Sequence, residues 1–187
     1  MDSTPSALLR AAAQADRLSK PSPLQEEVVN LFDQFRDRLL RYALSFGLSI
    51  EDGEEIVQEV FLALFQHLQR DKPRQNLRGW VFRVTHNLAL KQRGQSRRNP
   101  QMAAGPYEAG LPADPAPGPE DQLAGMEREE RLQEALRALP EQDQRCLYLR
   151  AEGLRYREIA EALGMSLGSV SMSLGRSLAR LERADRR

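Results

Sequence analysis

Residues 51–65 read EDGEEIVQEVFLALF, and this stretch decides the fold class. Ile56, Val57, Val60, Phe61, Leu64, Phe65 and Leu68 recur at the i, i+1, i+4, i+5 spacing of one buried helix face, with no strand-like alternation. Glu51, Asp52, Glu54 and Glu55 crowd its start, where negative side chains complement the helix dipole, and the run from Ser49 to Glu55 supplies capping groups. Upstream, Val28, Leu31, Phe32, Phe35, Leu39 and Tyr42 keep a helical period. Downstream, Trp80, Val81, Val84 and Leu88 do so again. The spacing predicts an all-α fold.

Farther along, residues 99–120 read NPQMAAGPYEAGLPADPAPGPE, with six of the chain's eleven prolines. Proline fixes φ and removes a backbone donor, so this stretch reads as an extended linker between two folded units. The organisation that follows is a flexible segment at 1–23, a helical domain at 24–98, an acidic Pro/Gly/Ala-rich linker at 99–122 and a second helical domain at 123–187. In the last, Leu132, Ala135, Leu136 and Leu139 form a stripe that stops at Pro140, and Cys146, Leu147 and Leu149 form another that Gly153 ends. Residues 156–181, YREIAEALGMSLGSVSMSLGRSLARL, then place Ile159, Ala160 and Leu163 on one inward face before a turn at Gly164. Ser166 caps the next helix, whose seam runs through Val170, Leu174, Leu178 and Leu181. That is a helix-turn-helix pattern, which DNA-binding modules share with helical hairpins of ordinary cores.

A chain of 187 residues holds one ordinary domain or two small ones. Its 41% hydrophobic and 29% charged residues, with mean hydropathy −0.57, describe a globular protein with a real core. No apolar run approaches the roughly 18 residues of a membrane span, so a cytoplasmic protein without membrane insertion is expected. Cys146 stands alone, and His67 and His86 add no metal-ligand spacing. No phosphate loop, nucleophile elbow or supported acid/base pair is present, which argues against an enzyme and against a metal or other cofactor. The net charge of zero conceals segregation: residues 21–69 carry −6, 70–98 carry +8, 99–130 carry −6 and 131–187 carry +3. Opposite fields of this kind suit a polyanion on one face and a basic protein on another, although a single charge run also describes a solvated surface.

In combination, these motifs resemble the bacterial RNA polymerase sigma factors of the extracytoplasmic-function group, with region two at about Val28 to Asn99 and region four at about Leu123 to Leu181. The segment from Asp52 to Phe61 resembles the helix by which that family grips the β′ clamp helices. This implies core-polymerase contact, to β′ and to the β subunit, through Asp52, Glu54, Glu55, Gln58 and Glu59. LRGWVFRVTHNLAL, residues 77–90, resembles the helix that reads and melts the minus-ten element. The implied DNA contacts are Arg78, Arg83, Asn87, Lys91, Arg93, Arg97 and Arg98, with Lys72, Arg74, Gln75 and Asn76 in the preceding loop as readers of a flipped base. Trp80, on the apolar face, is expected in the core instead. Residues 156–170 resemble the region-four helix-turn-helix, implying promoter contact by Ser169, Ser171, Met172, Ser173 and Arg176.

The family pattern usually has basic residues where this chain has Ser171 and Ser173, which predicts unusual reading of the minus-thirty-five element. Lys91 likewise stands where the family often has an acid. The partners implied are core polymerase, promoter DNA and an anti-sigma protein. The rival reading is a free-standing helix-turn-helix regulator, for which the acidic helix has no use. A histidine such as His67 or His86 is more often structural than catalytic, and Cys146 reads as a small buried side chain.

Overall fold

The computed structural model describes residues 22–70, 72–96 and 119–186. Asp71, Arg97, Arg98 and nearly all of the two segments expected to be flexible lie outside these. Among the described residues there are seven helices and no strand: α1 Pro23–Leu44, α2 Ile50–Gln69, α3 Leu77–Ser96, α4 Pro119–Arg137, α5 Glu141–Ala151, α6 Tyr156–Leu163 and α7 Leu167–Asp185. None is long and apolar enough to cross a membrane.

Most starts follow from local chemistry. Ser22 and Gln25 form a reciprocal capping box at α1, and Ser49 Oγ accepts from the Asp52 N–H at 3.0 Å at α2. Ser166 Oγ accepts from the Ser169 N–H at 3.1 Å at α7. Gly164, at φ +64°, makes the left-handed turn between α6 and α7 that a side chain would strain. One boundary differs from expectation. Helix α4 begins at Pro119, inside the predicted linker, because proline is suited to a first helical turn whose N–H has no intrahelical acceptor.

In the first half, α1 packs on α2 and α3. Leu39, Tyr42, Val60, Leu64, Leu68, Val81 and Phe82 are all at 1% exposure or less. In the second, α7 packs against α4, α5 and α6 around Leu149, Leu154, Ile159, Val170 and Leu174. The predicted seam of α7 needs correction at one place: Leu178 is 47% exposed, and Ser177 is buried instead, its hydroxyl donating to the Ser173 carbonyl at 2.8 Å. Successive steps of four residues drift about 40° around a helix, so after Val170 and Leu174 the inward line has passed Leu178.

The sequence divides the chain into two units, yet their cores meet. The buried residues form one continuous cluster from Phe35 to Leu174, and α3 lies against α6. Tyr42 of α1 has its ring centroid 5.0 Å from that of Tyr148 on α5, and the Arg145 guanidinium sits 4.3 Å from the centre of the Phe46 ring. Beneath this junction the Tyr42 hydroxyl and His86 Nδ1 are 3.0 Å apart. Burial raises the phenol's pKa and lowers that of the imidazole to about 4, with the Arg145 charge adding to the latter. The phenol therefore donates and the neutral ring accepts, the structural role expected for His86.

An imidazole at about 4 when folded and near 6.5 when unfolded gives the unfolded chain the extra proton between those values. His86 thus contributes no pH dependence above about pH 6.5 and a loss of stability as pH falls from there toward 4, with a slope of at most about 1.4 kcal/mol per pH unit. Urea unfolding across that window should show a shallower pH dependence for His86→Gln than for the parent chain. Identical slopes would show that His86 does not carry it.

Candidate nucleic-acid interface and acidic docking face

Helix α2 divides its residues sharply. Ile56, Val57, Val60, Phe61 and Leu64 are buried, whereas Glu51, Glu54, Glu55, Gln58 and Glu59 are exposed. Residues 51, 55, 58 and 62 share one outward stripe, so the acids are accompanied by Leu62, which is 60% exposed. In the sequence Leu62 is hidden as one more member of the apolar run Val60–Leu64. Its place four residues after Gln58 and seven after Glu55 is the signal that separates it from Phe61.

Asp52 is placed differently from the other acids expected to dock. It is half-buried, it accepts from the Ser49 hydroxyl at 2.7 Å, and Gln92 Nε2 of α3 donates to it at 2.6 Å. Its carboxylate thus joins the start of α2 to the end of α3. Glu54 keeps a loose, exposed pairing with Arg36 at 3.5 Å.

The basic block is likewise not uniform. Arg83, Asn87 and Lys91 follow one another at four-residue steps along exposed α3, as expected of a strip that meets phosphates and base edges. The opposite side carries Val81, Phe82, Thr85, His86 and Ala89 into the core. Trp80 is half-buried with its ring centroid 4.9 Å from that of His67, in agreement with its expected packing role. In the loop before α3, Lys72 and Gln75 are exposed, and Arg74 pairs with Glu27. Asn76, at φ +58°, uses Oδ1 to accept the Gly79 N–H at 3.0 Å, so this expected base reader also caps α3. Arg78 and Arg93 turn toward the second half of the chain: Arg78 donates to the Gly153 carbonyl at 3.5 Å and Arg93 pairs with Glu141 of α5.

On α7, Ser169, Ser171, Met172 and Arg176 face solvent, with Met172 62% exposed. Ser173 does not. It is 1% exposed and donates its hydroxyl to Asp143 of α5, so it does not present the promoter contact expected of it: period 3.6 puts it beside Val170 and Leu174 on the inward side. Asp143 also receives Arg176 Nη2 at 3.3 and 3.5 Å. The clearest cation of this helix is therefore paired with a buried carboxylate, and beside it the outer face offers the uncharged Ser169, Ser171 and Met172. Cys146 is fully buried behind this cluster.

Comparison with known proteins places these faces in context. Residues 31–99 match the model of sigma-70 region 2, and residues 129–181 match that of sigma-70 region 4. The chain is 32% identical over 168 residues to the ECF RNA polymerase sigma factor SigE of Mycolicibacterium smegmatis, covering 88% of this chain and 62% of that protein. It is 31% identical over 150 residues to the RNA polymerase sigma factor CnrH of Cupriavidus metallidurans, covering 76% and 78%. A third relative, the probable RNA polymerase sigma factor RfaY of Xanthomonas campestris, is 31% identical, and the chain spans 35% of its length. The chain thus spans less than two thirds of the length of two of these relatives. In fold it resembles the sigma factor RpoE solved with the anti-sigma factor NepR from Bartonella quintana, with TM-score 0.62, 18% identity and 85% and 96% of the two chains covered. It also resembles CnrH solved with the cytosolic domain of CnrY, with TM-score 0.54, 23% identity and coverage of 85% and 87%.

The Asp143 cluster separates a structural cost from a functional one. Asp143→Ala leaves the Ser173 hydroxyl buried without its acceptor and should lower unfolding free energy by about 1–3 kcal/mol. Arg176→Ala removes a largely exposed guanidinium and should cost under about 1 kcal/mol. Urea unfolding of the two variants checks the order, and a larger loss for Arg176→Ala would overturn it.

Proposed function

The chain belongs to the sigma-70 family of transcription initiation factors, in its extracytoplasmic-function group, and from that membership we propose that it binds core RNA polymerase, directs it to one promoter class and helps melt the minus-ten element. The observation that carries this reading is the pairing of two oppositely charged, solvent-facing strips on adjacent helices. Glu51, Glu54, Glu55, Gln58, Glu59 and Leu62 lie on α2, and Arg83, Asn87 and Lys91 lie on α3. A basic coiled surface meets the first, with Leu62 as the apolar anchor inside an acidic rim. The second neutralises phosphates of the opened strand, and Lys72 and Gln75 extend it toward a displaced base. In this reading the protein works in the cytoplasm, where polymerase and promoter are.

Region four contributes a softer contact. Ser171 and Met172 offer a hydroxyl and a flexible apolar group to the major groove, which suits thymine methyl groups better than guanine. Arg176 reaches phosphate only by leaving Asp143. An anti-sigma protein, of the kind that accompanies RpoE in its solved complex, is the expected regulator.

The test is binding of the full chain to bacterial core polymerase, with and without Glu55→Ala, Gln58→Ala and Leu62→Ala together. All three side chains are exposed, so thermal stability should stay within about 0.5 kcal/mol of the parent. Core affinity should fall about ten-fold or more, with initiation lost at limiting concentration. A parent chain that ignores core polymerase but shifts duplex DNA alone would replace this reading with a free-standing regulator.

A further inference from the structure

The loop expected to read a flipped base is held by side chains and backbone from all three helices of region two. The Lys72 N–H donates to the His67 carbonyl at 3.4 Å, and His67 Nε2 donates to the Pro73 carbonyl at 3.1 Å with its ring against Trp80. Arg74 pairs with Glu27 of α1. The Asn76 amide caps α3 at Gly79, where an added Cβ would lie 2.5 Å from Asn76 Nδ2, so glycine is what lets the amide fold back. Of the four expected readers, Arg74 and Asn76 are thus engaged within the protein, and the side chains of Lys72 and Gln75 face solvent.

A loop fixed before the base arrives loses less conformational entropy on binding it. The fixing also sorts the readers by chemistry. Two parallel N–H groups of arginine match guanine O6 and N7, whereas a glutamine amide, with one donor and one acceptor, matches adenine N6 and N7. A base that has left the stack presents those atoms to whichever side chain the loop offers. Here the guanine-selective group, Arg74, is turned to a carboxylate on α1, and the adenine-selective one, Gln75, is its exposed neighbour. The Arg74–Glu27 pair is solvent-exposed and contributes little to stability, so its consequence is the direction of the guanidinium rather than the fold.

We propose that Glu27 is a specificity-determining residue: by holding Arg74 against α1 it withdraws a guanine-selective group from the base-capturing loop and leaves Gln75 to select adenine, with His67 fixing Pro73 beside them. This rests on the proposed assignment of the loop to a flipped base. Glu27 lies outside the helices assigned to polymerase and to the minus-ten element, and it acts through Arg74 as a positioning residue.

The experiment uses holoenzyme formed from the full chain and bacterial core polymerase, with a set of short fluorescent oligothymidines whose central base is adenine, cytosine, guanine or thymine. Oligothymidine has no register, so the odd base settles where it binds best, and affinities are read by anisotropy. The parent should favour the adenine oligonucleotide, and Gln75→Ala should remove that preference. Glu27→Gln frees Arg74 with almost no change of shape and should raise affinity for the guanine oligonucleotide about three-fold or more relative to thymine. Adding Arg74→Ala should abolish the gain, with circular dichroism showing every variant folded. If Gln75→Ala alters the base ranking and Glu27→Gln does not, the role of Glu27 is overturned. An equal gain for all the bases overturns it too, since the freed guanidinium then meets phosphate. If neither substitution changes the ranking, or the holoenzyme binds none of the set, it is the loop's assignment to the base that fails, and the role of Glu27 falls with it.

Discussion

The Tyr42 side chain is fully buried and its ring meets those of Phe46, Phe82, His86 and Tyr148, which belong to both halves of the chain. A phenol taken out of water is tolerated only if its hydroxyl finds an acceptor, and His86 Nδ1 supplies one. That requirement fixes α3 in rotation. With His86 turned inward to meet Tyr42, Phe82 and Ala89 follow on the same side, and Arg83, Asn87 and Lys91 are left facing solvent. The placement of the candidate DNA strip is thus decided by a hydrogen bond on the other side of the helix.

The same economy governs charge. Carboxylates that face inward are tied to donors: Asp52 to Ser49 and Gln92, Asp143 to Ser173 and Arg176. Those that face outward on α2 are left to the solvent or to loose surface pairs, which contribute little to stability and are available to a partner. Stability and recognition are therefore carried by different acids only a few residues apart. Asp52 and Glu55 differ by less than one helical turn.

Much of this was legible in the sequence. Periodicity gave the helical class, and Ser49, Ser166, Gly153 and Gly164 gave several of the boundaries, because caps and left-handed turns are local chemistry. The charge reversal at residue 70 located the two strips. What one-dimensional spacing did not separate were near neighbours on a helix: Ser173 from Ser171, Ser177 from Leu178, Leu62 from Phe61. A difference of about 100° per residue decides burial there, and the direction of the core is a tertiary fact. The meeting of the halves was unreadable for another reason. Glu152 and Arg38 are 114 positions apart, and no local pattern announces an ion pair across such a separation.

The continuous core from Phe35 to Leu174 also bears on how the chain melts. Each half has only about 70 residues, a size at which burial barely offsets the loss of conformational entropy, whereas joined they approach the size at which a single cooperative domain is comfortable. Tyr42, Tyr148 and their neighbours are thus shared capital: when the halves part, each is left with a smaller core and a freshly wetted aromatic face. Separation then carries a heat-capacity increment of its own, the mark of apolar surface entering water, and the balance between joined and parted forms must shift with temperature.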